Sequence, residues 1–533
     1  MLLLLYGLLN ALLYSSLLPL WEGFDEEFHY GYVQYLDAHA RLPVLGRTGL
    51  SEEINRSIDL LPMSFVMIQN IRVTGVRTFD QFFALDTRER HALHEEALRI
   101  PSELRLEEST RYVKNYEVHH APLAYLLMAI PDSLLAPVPL PRRVLILRLL
   151  VSLACVLLVF RGAFALGREA GLTESYSAAL VFLVFSCQMF WATIAHVGND
   201  WLAVPLGVWL IVWAYRCHRA PTLRHAIWTA TVLALGLLTK AYFLVFVALY
   251  LPAVLIWHRR GTLPQRALVA LLAIPLLLAG PWYLRNQLAY GNLSGRLEES
   301  SGVTTSAALK SLAAIPWMKS LPFMARGTFW LGNGSFTDFS VRTMNAVLLL
   351  LALALLLNYR YLKRDVFLWA PVLLFCAAMV YVTGSSYTYS QGTVTVASPW
   401  YLQVVLAPLL CFALRGCQRS GRIGRWVATV TLALWGYILA ATYVAKLFPL
   451  YGGFSGGRST LRDIARWYQH EWTRTSDILN TVALTPAPWL VTLLALLLLT
   501  LLASLTACLL ALPSISEPRL SRSGNETPPI EAL

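Results

Sequence analysis

Apolar runs of about 15 to 25 residues recur from one end of this 533-residue chain to the other. A helix needs roughly 20 mostly apolar residues to cross the hydrocarbon core of a bilayer, so these runs predict membrane-spanning helices. Charged residues make up only 14% of the chain, against about a quarter in soluble globular proteins. The sequence therefore predicts an all-α polytopic membrane protein, built as one bundle rather than as several soluble domains.

Twelve runs predict spans, at about 1–20, 144–163, 175–194, 201–215, 225–239, 241–257, 267–284, 343–358, 365–383, 400–415, 426–447 and 488–512. The first of them lacks the basic start and the small-residue cleavage site of a signal peptide, so we assign it as a span. A thirteenth run, 120–137, contains Pro122, Pro131 and Asp132, which would leave backbone groups without partners in lipid. We interpret this run as a juxtamembrane or re-entrant helix.

The basic residues indicate how the bundle is oriented. With the thirteenth run not counted as a span, the Arg and Lys clusters near 161–168, 216–224, 259–266, 360–364 and 415–425 all fall on one side. The positive-inside rule makes that side cytoplasmic and places residues 21–143 outside as a large first loop. Its polar part, 21–118, holds 17 of the 31 acidic and 11 of the 43 basic residues. We expect amphipathic helices there, lying on the bilayer or on the bundle.

The remaining organisation follows from the same reading. Residues 1–512 form a single transmembrane domain with further outer loops at 285–342 and 448–487, and a disordered cytoplasmic tail at 513–533. The seven cysteines lie in or beside apolar runs without a CxxC pair, which argues against disulfides and metal-binding fingers. The bases form short clusters between spans instead of following one helix face, so nucleic acid is not an expected partner.

Asp25, Glu26 and His29 follow the first span at the membrane surface. On a helix, Asp25 and His29 are one turn apart on a shared polar side. Asp25 has two compatible interpretations, since it suits the N-cap of a helix and, beside an imidazole, suits a general base or a divalent metal ligand.

Four other polar positions stand where apolar runs meet the outer surface. His119 and His120 close the first loop, but adjacent side chains point in different directions, so they do not imply a shared metal. Asn199 and Asp200 form a short outer turn, for which an Asx turn with Asp200 capping the next helix is the structural alternative.

Two cations lie within apolar sequence on the same predicted face as Asp25. Lys240 interrupts a long apolar stretch, and an ionisable group at that depth suggests function, although its ammonium group could instead extend to the interface. Arg285 lies beside a Trp/Tyr belt with the same ambiguity. One carboxylate and two cations suit a substrate that carries a phosphate on a lipid.

These motifs resemble the GT-C glycosyltransferase superfamily, which includes protein O-mannosyltransferases and aminoarabinose transferases. The resemblance covers about residues 15–295 and rests on the order of the motifs and their side of the membrane. Its elements are Asp25-Glu26 with His29, an HxPLxY-like segment from His119 or His120 to Tyr125, Arg148, the Asn199-Asp200 turn, a GLLTK segment ending at Lys240 and a WYxRNxxxYG segment from Trp282 to Gly291. In the second half, Trp400 precedes Tyr401 where many members have an arginine.

The resemblance implies an inverting transferase in a bacterial inner membrane. It would move a sugar from a polyprenyl-phosphate donor to an unidentified acceptor on the extracytoplasmic face. Asp25 would activate the acceptor, directly or through a divalent metal ion, with support from Glu26 and His29. The implied substrate-binding residues include three cations that would stabilise the leaving phosphate. The full set is His119, His120, Arg148, Asn199, Asp200, Lys240, Arg285 and Tyr401.

Two other classes of function compete with this hypothesis. A transporter or flippase for a lipid-linked or anionic solute would also be polytopic with a few buried ions. Carriers, however, often have two similar halves, and the large acidic loop has no counterpart in the second half. A scaffold without chemistry leaves an acidic pair and two bases on one face unexplained.

Overall fold

The computed structural model describes residues 1–71, 75–109, 113–332, 335, 339–454 and 460–512. Within these ranges the regular structure is helical, and extended segments meet only at two isolated bridges, Ser51 to Glu108 and Met63 to Thr78. The all-α prediction is therefore confirmed. The predicted disordered tail, 513–533, lies outside the described residues.

The described chain contains seven helices long and apolar enough to span a membrane, and a bent helix pair makes an eighth candidate. The seven are Leu140–Glu169, Ala241–Arg259, Gln265–Tyr290, Val366–Tyr389, Pro399–Arg419, Gly421–Tyr451 and Ala487–Ala511. The other four predicted spans coincide with the shorter apolar helices Leu2–Leu17, Leu223–Leu237 and Val341–Leu356 and with Asp200–Arg219. The chain is a multi-pass membrane protein, and the count of twelve spans stays a prediction.

The bent pair joins Glu174–Phe185 to Gln188–Ile194 at an angle of 63°. The bend frees the carbonyl of Phe185, which then accepts hydrogen bonds from three side chains. Trp191 donates its Nε1–H at 2.7 Å, Asn10 its Nδ2–H at 3.2 Å and Tyr6 its hydroxyl at 3.3 Å. Two of the donors belong to the N-terminal helix, which therefore supplies what the broken helix needs in an apolar environment.

The segment predicted to form the first outer loop consists of short helices, three of which begin at a side-chain cap. Ser51 accepts from the amide of Ile54, Thr78 forms a reciprocal capping box with Gln81, and Asp86 accepts from Glu89. The loop helices are Glu26–His39, Glu52–Leu60, Phe65–Ile71, Phe79–Phe83 and Thr87–Leu98, followed by 3-10 turns at Ser102–Leu106 and Glu117–His119. The predicted juxtamembrane run forms Leu123–Leu134, 12 residues that are too few to cross a bilayer.

The two other segments predicted to lie outside are also helical. Between Tyr290 and Val341 lie Leu297–Ser300, Thr305–Ser311 and Trp317–Gly327, and beyond Tyr451 lie Leu461–His470 and Trp472–Val482.

A buried ionic network holds the loop to the bundle. Arg143, in the first turn of Leu140–Glu169, is fully buried and donates a hydrogen bond to the Glu53 carboxylate. Its Nε lies 3.8 Å from Asp132, and Gln34 donates to the other Glu53 oxygen at 2.6 Å. Removing one partner from such a buried network would leave a charge without compensation, which is strongly destabilising. The network therefore fixes the position of the loop on the bundle.

Candidate active site

Asp25 is half-buried immediately before helix Glu26–His39, with its backbone in the left-handed region at a φ of 54°. It occupies the N-cap position, but its side chain makes no capping hydrogen bond. The hydroxyl of Tyr116 donates to Asp25 Oδ1 at 2.5 Å instead. A non-glycine residue in this region is uncommon, and such strained positions concentrate at functional sites. Asp25 therefore stands at the N-cap position, as predicted, but its carboxylate accepts from Tyr116 of the loop and makes no capping hydrogen bond.

Glu26 is fully buried and forms a two-pronged ion pair with Arg148. Arg148 Nε donates to Glu26 Oε1 at 2.7 Å, and Nη2 donates to Oε2. The amide of Val197 also donates to Oε1 at 2.9 Å, while Arg148 donates to the carbonyls of Leu18 and Pro19. The pair joins four segments, and its partners leave neither side chain facing the loop.

Glu27, which the sequence analysis did not single out, is the third carboxylate of this turn. Its exposed fraction is 0%, and neither oxygen has a hydrogen-bond partner among the residues the structure describes. Burial and the nearby charge of Asp25 raise the pKa of Glu27 well above its usual value. The sequence held a signal for it, because on a helix Glu27 falls on the apolar side with Phe28 and Gly31.

The carboxylate of Glu117 lies between two histidines. His120 Nε2 is 2.8 Å from Glu117 Oε2, and His29 Nδ1 is 3.5 Å from the same oxygen. His29 Nδ1 also lies 2.7 Å from the hydroxyl of Tyr125. Glu117 directly follows Tyr116, so one short turn holds both the partner of Asp25 and the partner of the two imidazoles.

Burial sets the protonation of these groups. It lowers the pKa of His120 to about 3 and that of His119 to about 4, and it lowers the pKa of His29 well below its usual value. Burial raises the pKa of Glu117. Each imidazole is therefore neutral at pH 7, with one nitrogen that donates and one that accepts.

Lys240 is buried and paired with Asp200. Its ammonium group lies 2.7 Å from Asp200 Oδ2, and the Tyr242 hydroxyl donates to Oδ1 at 2.9 Å. The ammonium lies 5.3 Å from the ring centre of Tyr242 and 5.1 Å from that of Tyr401, within cation–π range. Asp200 therefore holds Lys240 and does not cap its own helix, and the Tyr401 ring lies beside the ammonium with its centre 6.0 Å from that of Tyr242.

The polar turn before Asp200 packs against His29. A Cβ built on Gly198 would lie 3.0 Å from His196 Nε2 and 3.5 Å from His29 Cδ2, so the turn has little spare room. Asn199 is fully buried, and both polar atoms of its amide lack a partner in the described part of the chain. A buried polar group without a partner costs about 1–3 kcal/mol, so this amide calls for an explanation.

Arg285 is a cation without a carboxylate partner among the described residues. Its guanidinium lies over the rings of Trp282 and Tyr290, at 4.8 and 5.7 Å. Burial raises the pKa of Tyr32, and the positive charge of Arg285 opposes that rise. Tyr32 stacks on Tyr125 with 4.1 Å between ring centres, which connects Arg285 to the histidines.

The predicted site residues thus fall into three groups. We call the first group the polar cluster. Two of its residues, Tyr116 and Glu117, were not predicted from the sequence. Its members are Asp25, His29, Tyr116, Glu117, His119, His120, Asn199, Asp200, Lys240 and Tyr401. Arg285 borders it. Glu26 and Arg148 form the third group, a fully buried ion pair.

The second half of the chain also reaches this site. The Trp400 ring stacks on Phe24 with 4.1 Å between centres and 5° between planes. Arg296, also not predicted, adds positive charge beside His120, although it is paired with Glu298 at 2.9 Å. Neither contact could be found from the sequence, because each joins segments far apart in the chain.

The donor groups of the described residues do not converge in the way a metal ion requires. No set of three His, Cys, Asp or Glu side chains in these ranges has metal-binding geometry. Asp25 accepts a hydrogen bond from a tyrosine hydroxyl, and His120 and His29 lie 2.8 and 3.5 Å from the same Glu117 oxygen. The arrangement does not fit a divalent ion, and we derive no step through one.

No protein-family model matches the chain, and no characterised protein matches it by sequence. Two solved structures from Archaeoglobus fulgidus are similar. The apo oligosaccharyltransferase is 12% identical with a TM-score of 0.42, and the alignment covers 88% of this chain and 57% of that one. AglB in complex with an inhibitory peptide and a dolichol-phosphate is 13% identical with a TM-score of 0.34, over 83% and 58%. This chain thus spans less than two thirds of their length.

A third similar structure comes from Cupriavidus metallidurans. It is ArnT bound to undecaprenyl phosphate, 14% identical with a TM-score of 0.39, and the alignment covers 85% of this chain and 74% of that one.

Proposed function

We propose that this chain is an inverting membrane glycosyltransferase. It would transfer a sugar from a polyprenyl-phosphate donor to an acceptor hydroxyl on the extracytoplasmic face of a bacterial inner membrane. The observation that carries the proposal is the polar cluster, in which the half-buried carboxylate of Asp25 and the buried ammonium of Lys240 belong to one set of polar residues. A general base and a cation for a leaving phosphate are the two groups that this reaction requires.

In the proposed reaction the acceptor oxygen attacks the anomeric carbon while the bond from that carbon to the phosphate oxygen breaks. The acceptor proton passes to Asp25, and the electron pair of the broken bond leaves with the phosphate. Tyr116 fixes the orientation of the Asp25 carboxylate by donating to Oδ1.

The two cations have different roles in receiving the phosphate. Arg285 has no described carboxylate partner and can offer its guanidinium to two phosphate oxygens. Lys240 gives one N–H to Asp200 and has two others to donate. Because the cluster is buried, these charges act in a low local dielectric and stabilise the developing phosphate charge more than they would in water.

Glu26 and Arg148 receive a positioning role in this proposal, which differs from the roles the family resemblance implies. Their ion pair fixes the turn that presents Asp25. The remaining polar side chains would bind the substrate or would hold the cation that binds its phosphate. They include His29, His120 and Asp200.

The decisive experiment is a transfer assay in proteoliposomes with undecaprenyl-phosphate hexoses and pentoses labelled in the sugar, and a total membrane extract as the source of acceptors. We expect transfer from at least one donor and a loss of at least about 100-fold in Asp25→Asn, the usual range for removing a general base. Asp80→Asn, an exposed aspartate of the same loop, is the matched control and should retain full activity.

The outcomes separate the competing functions. Equal turnover by wild type and Asp25→Asn would refute the role of Asp25. Movement of intact donor across the vesicle membrane without sugar transfer would favour a flippase. A chelator added to the same assay tests the predicted metal, because activity lost with chelator and restored by a divalent ion would establish a requirement.

A further inference from the structure

Asn199 is a neutral hydrogen-bonding side chain without a partner in the described structure. Its exposed fraction is 0%, and both the Nδ2 donor and the Oδ1 acceptor are unpaired. It stands at the start of the 20-residue helix Asp200–Arg219, directly before the carboxylate that holds Lys240. An unpaired amide at this place, beside the cation assigned to the phosphate, points to a ligand group.

Two neighbouring imidazoles share this property. His120 Nδ1 and His196 Nδ1 are buried and have no hydrogen-bond partner in the described ranges. Both rings lie beside His29, with ring centres 6.1 and 6.5 Å from it. His196 and Asn199 belong to one tight turn, so the unpaired atoms occupy a small region around His29.

The chemistry of these atoms selects the kind of ligand. An anion can use only the Nδ2 donor of an amide, and a cation only its Oδ1 acceptor. Two adjacent hydroxyl groups use both atoms at once, since each hydroxyl donates and accepts. Neutral imidazoles also pair with hydroxyls without a charge penalty, whereas the phosphate has Arg285 and Lys240 for partners.

We propose that Asn199, assisted by His120 and His196, binds two neighbouring hydroxyl groups of the donor sugar. This inference rests on the proposed function and deepens it, because it names the substrate class as a sugar with an unmodified pair of adjacent hydroxyls. The cleft of about 670 Å³ in the described structure lies elsewhere, between helices Glu52–Leu60 and Thr87–Leu98.

Discrimination between matched donors tests the proposal. A site built to pair hydroxyls rejects an analogue that lacks one, because the buried polar groups of the site then stay unpaired. We expect the wild type to prefer the parent sugar over its mono-deoxy analogues at two adjacent positions, each by at least about 100-fold. Asn199→Leu, a variant of similar size without the amide, should reduce that preference by at least 10-fold, and the smaller Asn199→Ser should act in the same direction.

A binding measurement separates this role from a structural one. The probe is a non-transferable phosphonate analogue of the preferred donor, and the readout is the rise in Tm that it causes in detergent. Asn199→Leu should keep or raise the Tm of the free protein, because its amide has no partner to lose, and should show a reduced rise with the probe. Asn55→Leu is the matched control, since Asn55 is also a buried amide without a described partner but lies on a loop helix, and it should retain full discrimination.

Failures of this inference and of the proposed function look different. Intact transfer with unchanged discrimination in both Asn199 variants would overturn the hydroxyl-binding role alone. A fall in the Tm of the free Asn199→Leu protein, with preference retained in Asn199→Ser, would also overturn it and assign Asn199 to folding. The absence of transfer from every donor would overturn the proposed function itself.

Discussion

The ion pair between Glu26 and Arg148 allows a sharp test of whether Glu26 acts in folding or in chemistry. Removing one partner of a buried ion pair costs about 3–5 kcal/mol, because the other charge is left without compensation. Arg148→Met also takes donors from the carbonyls of Leu18 and Pro19, each worth about 1–3 kcal/mol when buried and unpaired. The total, roughly 5–11 kcal/mol, is comparable with the whole stability of a typical domain.

We therefore expect Arg148→Met to fold poorly, whereas Glu26→Gln, which keeps the arginine bound to its backbone carbonyls, should lose about 3 kcal/mol. The double variant Glu26→Gln/Arg148→Met should be more stable than the sum of the two losses predicts. The difference is a coupling of at least about 1.5 kcal/mol. Denaturant unfolding in detergent, followed by tryptophan fluorescence, measures all four proteins of the cycle. Asp80→Asn provides the control for a substituted carboxyl group of the same loop.

Two results would refute this reasoning. Strictly additive losses in the double variant would mean that the two charges do not stabilise each other. A Glu26→Gln protein as stable as wild type but as inactive as Asp25→Asn would place Glu26 in the chemistry, as the family resemblance implied.

Two further predictions concern the segment that leads into Asp25. Burial raises the pKa of Glu22 to about 7, so the folded protein binds a proton there that the unfolded chain releases above its ordinary pKa of 4.5. The stability due to this proton is complete below pH 4.5 and is lost as the pH rises to about 7; its size is on the order of 3 kcal/mol. Unfolding in detergent at pH 5 and 8 should show this loss in wild type but not in Glu22→Gln, and equal slopes would contradict it. Gly23→Ala should destabilise the protein and lower transfer at least 10-fold, since the added Cβ would lie 2.5 Å from His196 Cβ; unchanged Tm and activity would show that the turn yields without cost.

The helices could be predicted from the sequence to a large extent, because the length and apolarity of a segment are local properties. Every predicted span coincides with a helix, although several of these helices are shorter than a bilayer requires. The bend at residues 186–187 was missed, since no proline or glycine stands there to mark it.

The residues of the candidate site could be predicted only where a charged residue interrupts or borders an apolar stretch of sequence. Lys240 in an apolar stretch and Asp25 at a span end are such residues, and both belong to the polar cluster. The pairing of Arg148 with Glu26 was not predictable, because it depends on how helices 122 residues apart in sequence approach each other. Glu117 was not predicted for the same reason. It belongs to the site because of its contacts with two histidines, and the sequence does not show those contacts.

The broken helix Glu174–Ile194 also bears on how this protein assembles in its membrane. An uninterrupted helix satisfies its own backbone and can enter lipid alone. Here the Phe185 carbonyl depends on Tyr6 and Asn10, which lie on helix Leu2–Leu17 and are synthesised before the bend. Helix Leu2–Leu17 must therefore enter the bilayer before the segment that it stabilises, which lies 175 residues later in the chain. Its polar side chains are then in place to satisfy the backbone of the bend as that segment inserts.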